Sequence, residues 1–326
     1  MKKSLLALAS GAFILGAAEF VMMGILPQAA AATGVGIPTA GHYISAYAIG
    51  VCFGTLILVV MVTGQTVANM LGVPAGTLMA EFLSWRLAFG ILAAWAAMTI
   101  VLVLAWIPFV APIKDAGIAG QFKFLTRRGP WVILAAVFTG NAGVFCWWSY
   151  VSPWLQKTGG WSSSLVPMLM MLAGFGMVIG GLLGGRLTDH WRHAGAAAIG
   201  QSISCLGLLL VLITPGNQPM TAVLTFWIAV GLFFTSAPQQ LLMTEAGQGG
   251  GELIAGAAVQ VAFNFGNAIG SIVGGAMLTT FSMNYRYTGL GGMPLALLAV
   301  GLLAFYSWRC ETDTDAIHRM REIKVD

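Results

Sequence analysis

Ten apolar runs of 20 to 28 residues follow one another along the chain, separated at most points by prolines, glycines or charged residues. The runs cover 4–26, 41–60, 61–82, 86–110, 130–154, 163–185, 195–214, 219–243, 253–280 and 289–308. About 20 apolar residues is the length that an α-helix needs to cross the hydrocarbon core of a bilayer. The pattern therefore predicts an all-α polytopic membrane protein with about nine or ten transmembrane helices, and not a barrel of alternating ten-residue strands.

The scarcity of charge excludes most other classes of protein. Only 8% of the 326 residues are charged, against about 25% in soluble domains. Such a chain cannot cover a water-facing surface, which excludes a soluble enzyme and a nucleic-acid-binding protein. The four cysteines and four histidines are dispersed, and there is no phosphate-binding loop. We therefore expect no metal, no cofactor and no enzymatic activity.

The distribution of Lys and Arg predicts the orientation. Twelve of the 15 basic residues lie in the N-terminus, the segment 111–129, the loop 186–193 and the tail 309–326. Only Arg86, Lys157 and Arg286 lie on the opposite side. The positive-inside rule then places both termini in the cytoplasm of a bacterium, with the chain in the inner membrane.

The stretch 41–82 is anomalous because no charge and no turn cluster lies between His42 and Ala80. Two crossings would give ten spans and keep every basic loop cytoplasmic. One crossing would give nine spans and put one set of basic segments on the wrong side. The positive-inside rule favours two crossings, although the sequence supplies no hydrophilic turn between them.

Glu19 is the single ionisable side chain placed well inside a predicted span. A carboxylate at membrane depth is costly unless it is protonated, paired or facing water. Glu19 is therefore a candidate proton acceptor or substrate contact. The alternative is a protonated structural carboxyl group that is hydrogen-bonded to a neighbouring helix.

Amides, glycines and aromatic residues recur within the apolar runs. The amides are Asn69, Asn141, Gln239, Gln260, Asn264 and Asn267, and they can either line a cavity or join helices by hydrogen bonds. Glycines at four-residue spacing, in 176–184 and 266–274, predict close helix packing. The cluster Trp147, Trp148, Tyr150 and Trp154 is expected to form an interfacial belt.

The segment 184–192 carries Gly185, Arg186, Asp189 and Arg192 at the cytoplasmic end of a span. A carboxylate flanked by two arginines at a helix end can clamp to a neighbouring helix terminus and switch with conformation. Taken without further context, the segment is a charged loop.

Several segments together resemble the major facilitator superfamily. They are 18–27 (AEFVMMGILP), 34–41 (GVGIPTAG) and 47–50 (YAIG). More narrowly, the chain is similar to the proton-coupled drug and sugar efflux antiporters of the arabinose-efflux-permease type. The segment 184–192 resembles the second copy of the family's loop motif, without its second glycine.

Two further segments resemble parts of that subfamily. Gly72, Pro74 and Gly76 look like a partial antiporter motif of the fifth helix. Asn264 to Gly270 resembles the eleventh helix.

The resemblance implies a major facilitator fold of twelve helices in two halves. Residues 130–308 account for a complete six-helix C-terminal bundle, and 111–129 for a cytoplasmic connector. Residues 1–110 supply only an incomplete N-terminal bundle, because the family's third and fourth helices are missing between Val60 and Gly64. The stretch 41–82 is then a fused second and fifth helix across an internal deletion, and 309–326 is a cytoplasmic tail.

The implied function is secondary active transport, namely proton-coupled efflux of a sugar or drug-like small molecule across the inner membrane. The implied partners are that substrate, protons and the lipid bilayer, and a monomer is expected. Candidate proton or substrate residues are Glu19, Asn141, Gln260 and Asn264. The alternative is a transport-inactive deletion product that retains only the membrane-embedded C-terminal bundle.

Overall fold

The computed structural model describes Ser10, Ala18 and the ranges 21–57, 85–106, 118–214, 216–249 and 251–311. Within these ranges the secondary structure is helical and contains no strand. The helices are α1 (Leu26–Thr33), α2 (Ile37–Ile57), α3 (Trp85–Trp106), α4 (Ile118–Gln121), α5 (Arg128–Trp148), α6 (Val151–Lys157), α7 (Val166–His190), α8 (His193–Ile213), α9 (Gln218–Phe234), α10 (Ser236–Ala246), α11 (Glu252–Thr280) and α12 (Tyr287–Tyr306).

Six helical segments of the described chain are long and apolar enough to cross a membrane. They are Arg128–Lys157, Ser163–His190, His193–Ile213, Gln218–Ala246, Ile254–Thr280 and Tyr287–Glu311. Each overlaps one of the six apolar runs between 130 and 308, so the predicted C-terminal six-helix bundle is confirmed. The run 61–82 and most of 4–26 lie outside the described residues, and the division of the chain at 110 and 129 stays a prediction.

Two of the spans contain a break that prolines explain. The pairs α5–α6 and α9–α10 are each separated by one or two residues, and Pro153 and Pro238 stand third in α6 and α10. Proline has no N–H to donate to the carbonyl four residues earlier, at Ser149 and Phe234. Each span therefore bends at that point while both halves remain helical.

Glycines at four-residue spacing hold the bundle together, as the sequence predicted. On α7, Gly176, Gly180 and Gly184 face the backbone of α9 at Phe226, Val230 and Phe234. A Cβ atom at Gly180 or Gly184 would overlap a carbonyl oxygen of α9. These two parallel helices thus touch backbone to backbone, which only small residues permit.

The same pattern joins α11 to α5. Gly266, Gly270 and Gly274 face the carbonyl oxygens of three α5 residues that are also four apart, Phe138, Ala142 and Cys146. Helix α5 also packs closely against α12, where Gly143 and Gly292 meet. Helix α5 is therefore enclosed by two neighbours at backbone contact.

Helix α2 lies antiparallel on another face of α11. Ser45 Oγ donates to the Ala268 carbonyl at 3.0 Å, and Cys52 Sγ donates to the Val261 carbonyl at 3.5 Å. Near the start of α2, a Cβ atom at Gly275 would lie 3.3 Å from the Pro38 carbonyl oxygen. The contacts advance by seven residues on both helices, so α2 follows α11 for about four turns.

The buried apolar residues form two clusters at opposite ends of α5. The cluster at the start of α5 includes Phe124 from the segment before it and Ile133 from α5, and we call this the connector end. The other cluster includes Trp147, Trp148, Tyr150 and Trp154 together with Met23 and Leu26, and we call this the aromatic end.

The expectation that the aromatic cluster forms an interfacial belt was wrong. Trp147, Trp148, Tyr150 and Trp154 are all at most 2% exposed. The bend before α6 keeps these rings inside the bundle, and residues of α1 and α2 such as Leu26 and Ala40 pack against the same cluster.

Candidate substrate site

Three of the predicted site residues lie on α5 and α11, beside the seam where these helices touch. Asn141 belongs to α5 and faces Gly266, at which a Cβ atom would lie 3.1 Å from the Asn141 Cβ. Asn264 and Gln260 belong to α11. The other predicted positions, Glu19, Gly72, Pro74 and Gly76, together with Asn69, lie outside the described residues, and their roles stay predictions.

The polar residues of α11 form one stripe along the helix. Gln260, Asn264, Asn267 and Ser271 recur at i, i+4, i+7 and i+11, which places them on one face. On a helical wheel this face lies between the glycines that meet α5 and the residues that meet α2, Val261 and Ala268. The stripe therefore runs along α11 between its contacts with α5 and its contacts with α2.

Two of the amides are partly satisfied by their own helices. Asn141 Nδ2 donates to the Val137 carbonyl at 2.8 Å, and Asn264 Nδ2 donates to the Gln260 carbonyl at 2.9 Å. Asn264 is fully buried, and its Oδ1 atom accepts no hydrogen bond in the described part of the chain. A buried polar atom without a partner costs about 1–3 kcal/mol, so a hydrogen bond donated to this oxygen would remove that cost.

At the aromatic end, the stripe is hydrogen-bonded to the bend between α5 and α6. Ser149 and Ser271 share a hydrogen bond of 2.6 Å, and the Tyr150 hydroxyl donates to the Ser271 carbonyl at 2.8 Å. Gly41 of α2 lies directly against that hydroxyl, because a Cβ atom there would collide with it. Ser149 and Ser271 were not among the predicted site residues, although continuing the spacing from Gln260 would have reached Ser271.

The loop motif lies at the connector end, where α7 ends. Gly185 faces open space, Arg186 and Asp189 are exposed, and Arg192 precedes the first residue of α8. Asp189 forms no ion pair within the ranges that the structure describes. The role of this segment in gating stays a prediction.

Other polar side chains do join the helices at this end. His193 Nδ1 and Glu245 Oε2 are 3.0 Å apart and connect the start of α8 to the end of α10. Glu311 Oε1 accepts from the Ala194 backbone N–H at 2.7 Å, and a carboxylate is favourable at a helix N-terminus. These pairs were not predictable from the sequence, because their members are more than 50 residues apart.

The described residues hold no group of three His, Cys, Asp or Glu side chains that could bind a metal ion. The polar groups of the stripe are amides, hydroxyl groups and backbone carbonyls, which form hydrogen bonds.

Comparison with known proteins agrees with a transporter fold. The profile of the Major Facilitator Superfamily matches residues 57–255. The chain is 33% identical to AraJ of Escherichia coli (strain K12), named as a transporter, over 377 aligned positions that cover 94% of this chain and 95% of AraJ. It is 28% identical to the inner membrane transport protein YdhP of the same strain, over 95% of this chain and 97% of YdhP.

A solved structure shows the same fold. It is a crystal structure of a bacterial homologue of the human lysosomal transporter Spinster, in an inward-facing and unoccupied conformation. The likeness has a TM-score of 0.57 with 15% sequence identity, and it covers 93% of this chain and 94% of that one.

The alignment with AraJ also shows that this chain is shorter by internal gaps. Because 94% of 326 residues is about 306, some 71 of the 377 aligned positions have no counterpart here. A gap of this size corresponds to about three spans with their loops. The family resemblance read from the sequence is thereby confirmed, while the position of the gap after Val60 stays a prediction. The chain belongs to the major facilitator superfamily.

Proposed function

We propose that the protein is a secondary active transporter that exports a small sugar or drug-like molecule across the inner membrane in exchange for protons. The observation that carries this proposal is the fully buried, unpartnered Asn264 Oδ1 on the polar stripe of α11. In transporters built from two bundles, the substrate binds near the midplane between them. Asn264 is 12 residues from the start of α11, about 18 Å along a helix of about 43 Å.

The substrate would contact Asn141, Gln260 and Asn264. Asn264 Oδ1 would accept a hydrogen bond from a solute hydroxyl or amine, since its own Nδ2 is engaged by Gln260. An uncharged solute fits this stripe, because the stripe itself carries amides and a hydroxyl and no ionised group.

Glu19 is our proposed proton site. A carboxyl group at membrane depth is neutral when protonated and costly when ionised, so its charge can be coupled to opening toward water. Gly72, Pro74 and Gly76 would pack as the antiporter motif, and Gly185, Arg186, Asp189 and Arg192 would control opening at the connector end. We place this end in the cytoplasm, in agreement with the distribution of Lys and Arg, and propose that the protein works as a monomer.

Reconstitution tests this proposal. The chain would be placed in liposomes containing a pH-sensitive dye, and L-arabinose, lactose and the uncharged drug chloramphenicol would be added in turn. We expect one of these solutes to drive proton movement in the wild type, and Glu19→Gln to abolish it while the protein remains folded. Proton movement no greater than in empty liposomes for every solute would contradict the proposal.

The alternative is a transport-inactive deletion product. The shortfall of about 71 aligned positions against AraJ favours this reading, because part of the wall opposite α11 is then missing. In that case the C-terminal bundle would fold and no solute would move protons.

A further inference from the structure

We infer that the aromatic end contains a binding site for one uncharged, hydroxylated ring, such as a monosaccharide, whose oxygens accept hydrogen bonds from the indole N–H groups of Trp147 and Trp154. Both side chains are at most 2% exposed. Neither Nε1 atom has an acceptor among the residues described. Trp147 is six residues beyond Asn141 on the same helix, about 9 Å further along, so the site is distinct from the midplane amides.

Three other tryptophans differ from these two, because their indole N–H groups do have acceptors. The indole N–H groups of Trp131, Trp161 and Trp227 donate to Leu125 O at 2.8 Å, to Thr221 Oγ1 at 3.0 Å and to Ile203 O at 2.9 Å respectively. Trp131 and Trp227 are exposed, and their N–H groups are nevertheless paired. A buried indole N–H normally finds a partner, and an exception in a native structure requires an explanation.

The two unpaired donors belong to one group of rings. The ring centres of Trp147 and Trp154 are 5.0 Å apart at an interplanar angle of 80°, and Trp148 lies 5.6 Å from Trp147. Perpendicular indoles present both apolar faces and polar edges. Such an arrangement suits a ring that has an apolar C–H face and hydroxyl groups around its edge.

A third buried polar group at this end lacks a partner, and it is a hydrogen-bond acceptor on α1. Gln28 Oε1 on α1 is also buried without a partner within the described ranges, and α1 contacts α6, which carries Trp154. A hydroxyl group both donates and accepts, so a hydroxylated solute can pair with an indole donor and also with an amide acceptor such as Gln28 Oε1.

The surroundings select against a charged ligand. The rings around Trp147 and Trp154 are packed by apolar and aromatic side chains, and burial of an unpaired charge among such side chains is very costly. A cation would also meet the positive edges of the indoles, at the N–H groups. The site therefore favours a neutral solute. This inference specifies the substrate class of the proposed function, and it rests on that function only in taking the ligand to be the transported molecule.

Equilibrium binding to the purified full-length chain tests this inference without a proton gradient. Radiolabelled L-arabinose and D-glucose serve as monosaccharide probes, and tetraphenylphosphonium serves as the cation. We expect saturable binding of at least one sugar, weakened about tenfold by Trp147→Phe and by Trp154→Phe, since each removes one hydrogen bond and retains a ring.

Trp161→Phe is the matched control. It also removes an indole from the periphery of the same cluster, but one whose N–H already has a partner in Thr221. We expect it to lower the melting temperature and to leave the sugar affinity unchanged. This comparison separates loss of a donor from loss of packing.

Three results would overturn the inference. They are absence of saturable sugar binding, equal sugar affinity in the wild type and both tryptophan variants, and binding of tetraphenylphosphonium that the variants abolish. Failure of transport is distinguishable from these, because Glu19→Gln would stop proton movement and leave sugar binding intact. Sugar binding without proton movement would support this site and contradict the proposed transport.

Discussion

Helix α11 meets two neighbours in different ways. Toward α5, Gly266, Gly270 and Gly274 lie against backbone carbonyl groups with no room for a Cβ atom. Toward α2, two side-chain hydrogen bonds, from Ser45 and Cys52, accompany one close backbone approach, at Gly275. The α5 seam is thus backbone on backbone at three successive turns, whereas the α2 seam has side-chain hydrogen bonds along most of its length.

This difference shows which contact can open. A backbone seam gains dispersion energy from close approach along its whole length and cannot slide without collisions. A membrane hydrogen bond contributes only about 0.6 kcal/mol on average, and a polar stripe beside the seam offers the freed groups other partners. We therefore propose that α5 and α11 move as one body and that α2 separates from them during transport.

The largest effect is expected from filling the α5 seam. Gly270→Leu would force a side chain into the Ala142 carbonyl, and we expect a loss of stability of about 3 kcal/mol or more, with little folded protein recovered. Size-exclusion chromatography of a fluorescent fusion measures this. Gly301→Leu on α12 is the control, since no atom lies within 4 Å of that position, and equal recovery of both variants would contradict a rigid seam.

A similar loss is expected where α7 meets α9. Gly180→Leu would overlap the Val230 carbonyl, whereas Gly185 on the same helix faces open space. The melting temperature of Gly180→Leu should therefore fall well below that of Gly185→Leu. A reversed order would show that the four-residue glycine pattern does not hold these helices together.

A smaller effect on stability, with a large effect on activity, is expected between the two seams. Asn264→Leu removes the unpartnered Oδ1 together with one hydrogen bond to Gln260. Loss of the unpaired oxygen should stabilise the protein, and loss of the hydrogen bond should destabilise it. Because these effects oppose each other, we expect the free energy of unfolding to change by about 1 kcal/mol or less. Proton movement driven by substrate should be lost. Wild-type proton movement in this variant would remove Asn264 from the substrate site.

The smallest effect is expected at the α2 seam. Ser45→Ala removes the hydrogen bond to Ala268 and should lower the unfolding free energy by about 0.6 kcal/mol. Thermal unfolding of the purified protein measures it, with Ser202→Ala as the control, because that exposed hydroxyl donates only to Ala198 of its own helix. A loss as large as that of Gly270→Leu would show that the α2 contact is as rigid as the α5 contact.

The sequence predicted those features that depend on local spacing. The six spans after residue 130 and the glycine seams follow from run length and four-residue repeats, and both were found. The partners of the seams were not predictable, because Gly176 and Gly266 have the same spacing and meet different helices. Asn264 was likewise predicted as a site residue from the sequence. The lack of a partner for its Oδ1 atom was not predictable, because it depends on the tertiary structure around it.

The aromatic cluster shows where sequence reasoning fails. Trp147 and Trp154 near the end of a span have the pattern of an interfacial belt, and the same residues can equally be covered by protein. The bend at Ser149 and the packing of Leu26 decide between these outcomes. Both are long-range consequences of tertiary structure.

Distances between spin labels at the aromatic end test the central claim most directly. In a background with the four cysteines replaced by alanine, one pair would label His42 on α2 and Met220 on α9, and a second pair would label Met168 on α7 and Met220. We predict that the first pair shows more than one distance population, shifted between acidic and neutral pH, while the second shows a single unchanged distance. A single unchanged distance for both pairs, or equal changes in both, would contradict an N-terminal segment that separates from a rigid C-terminal bundle.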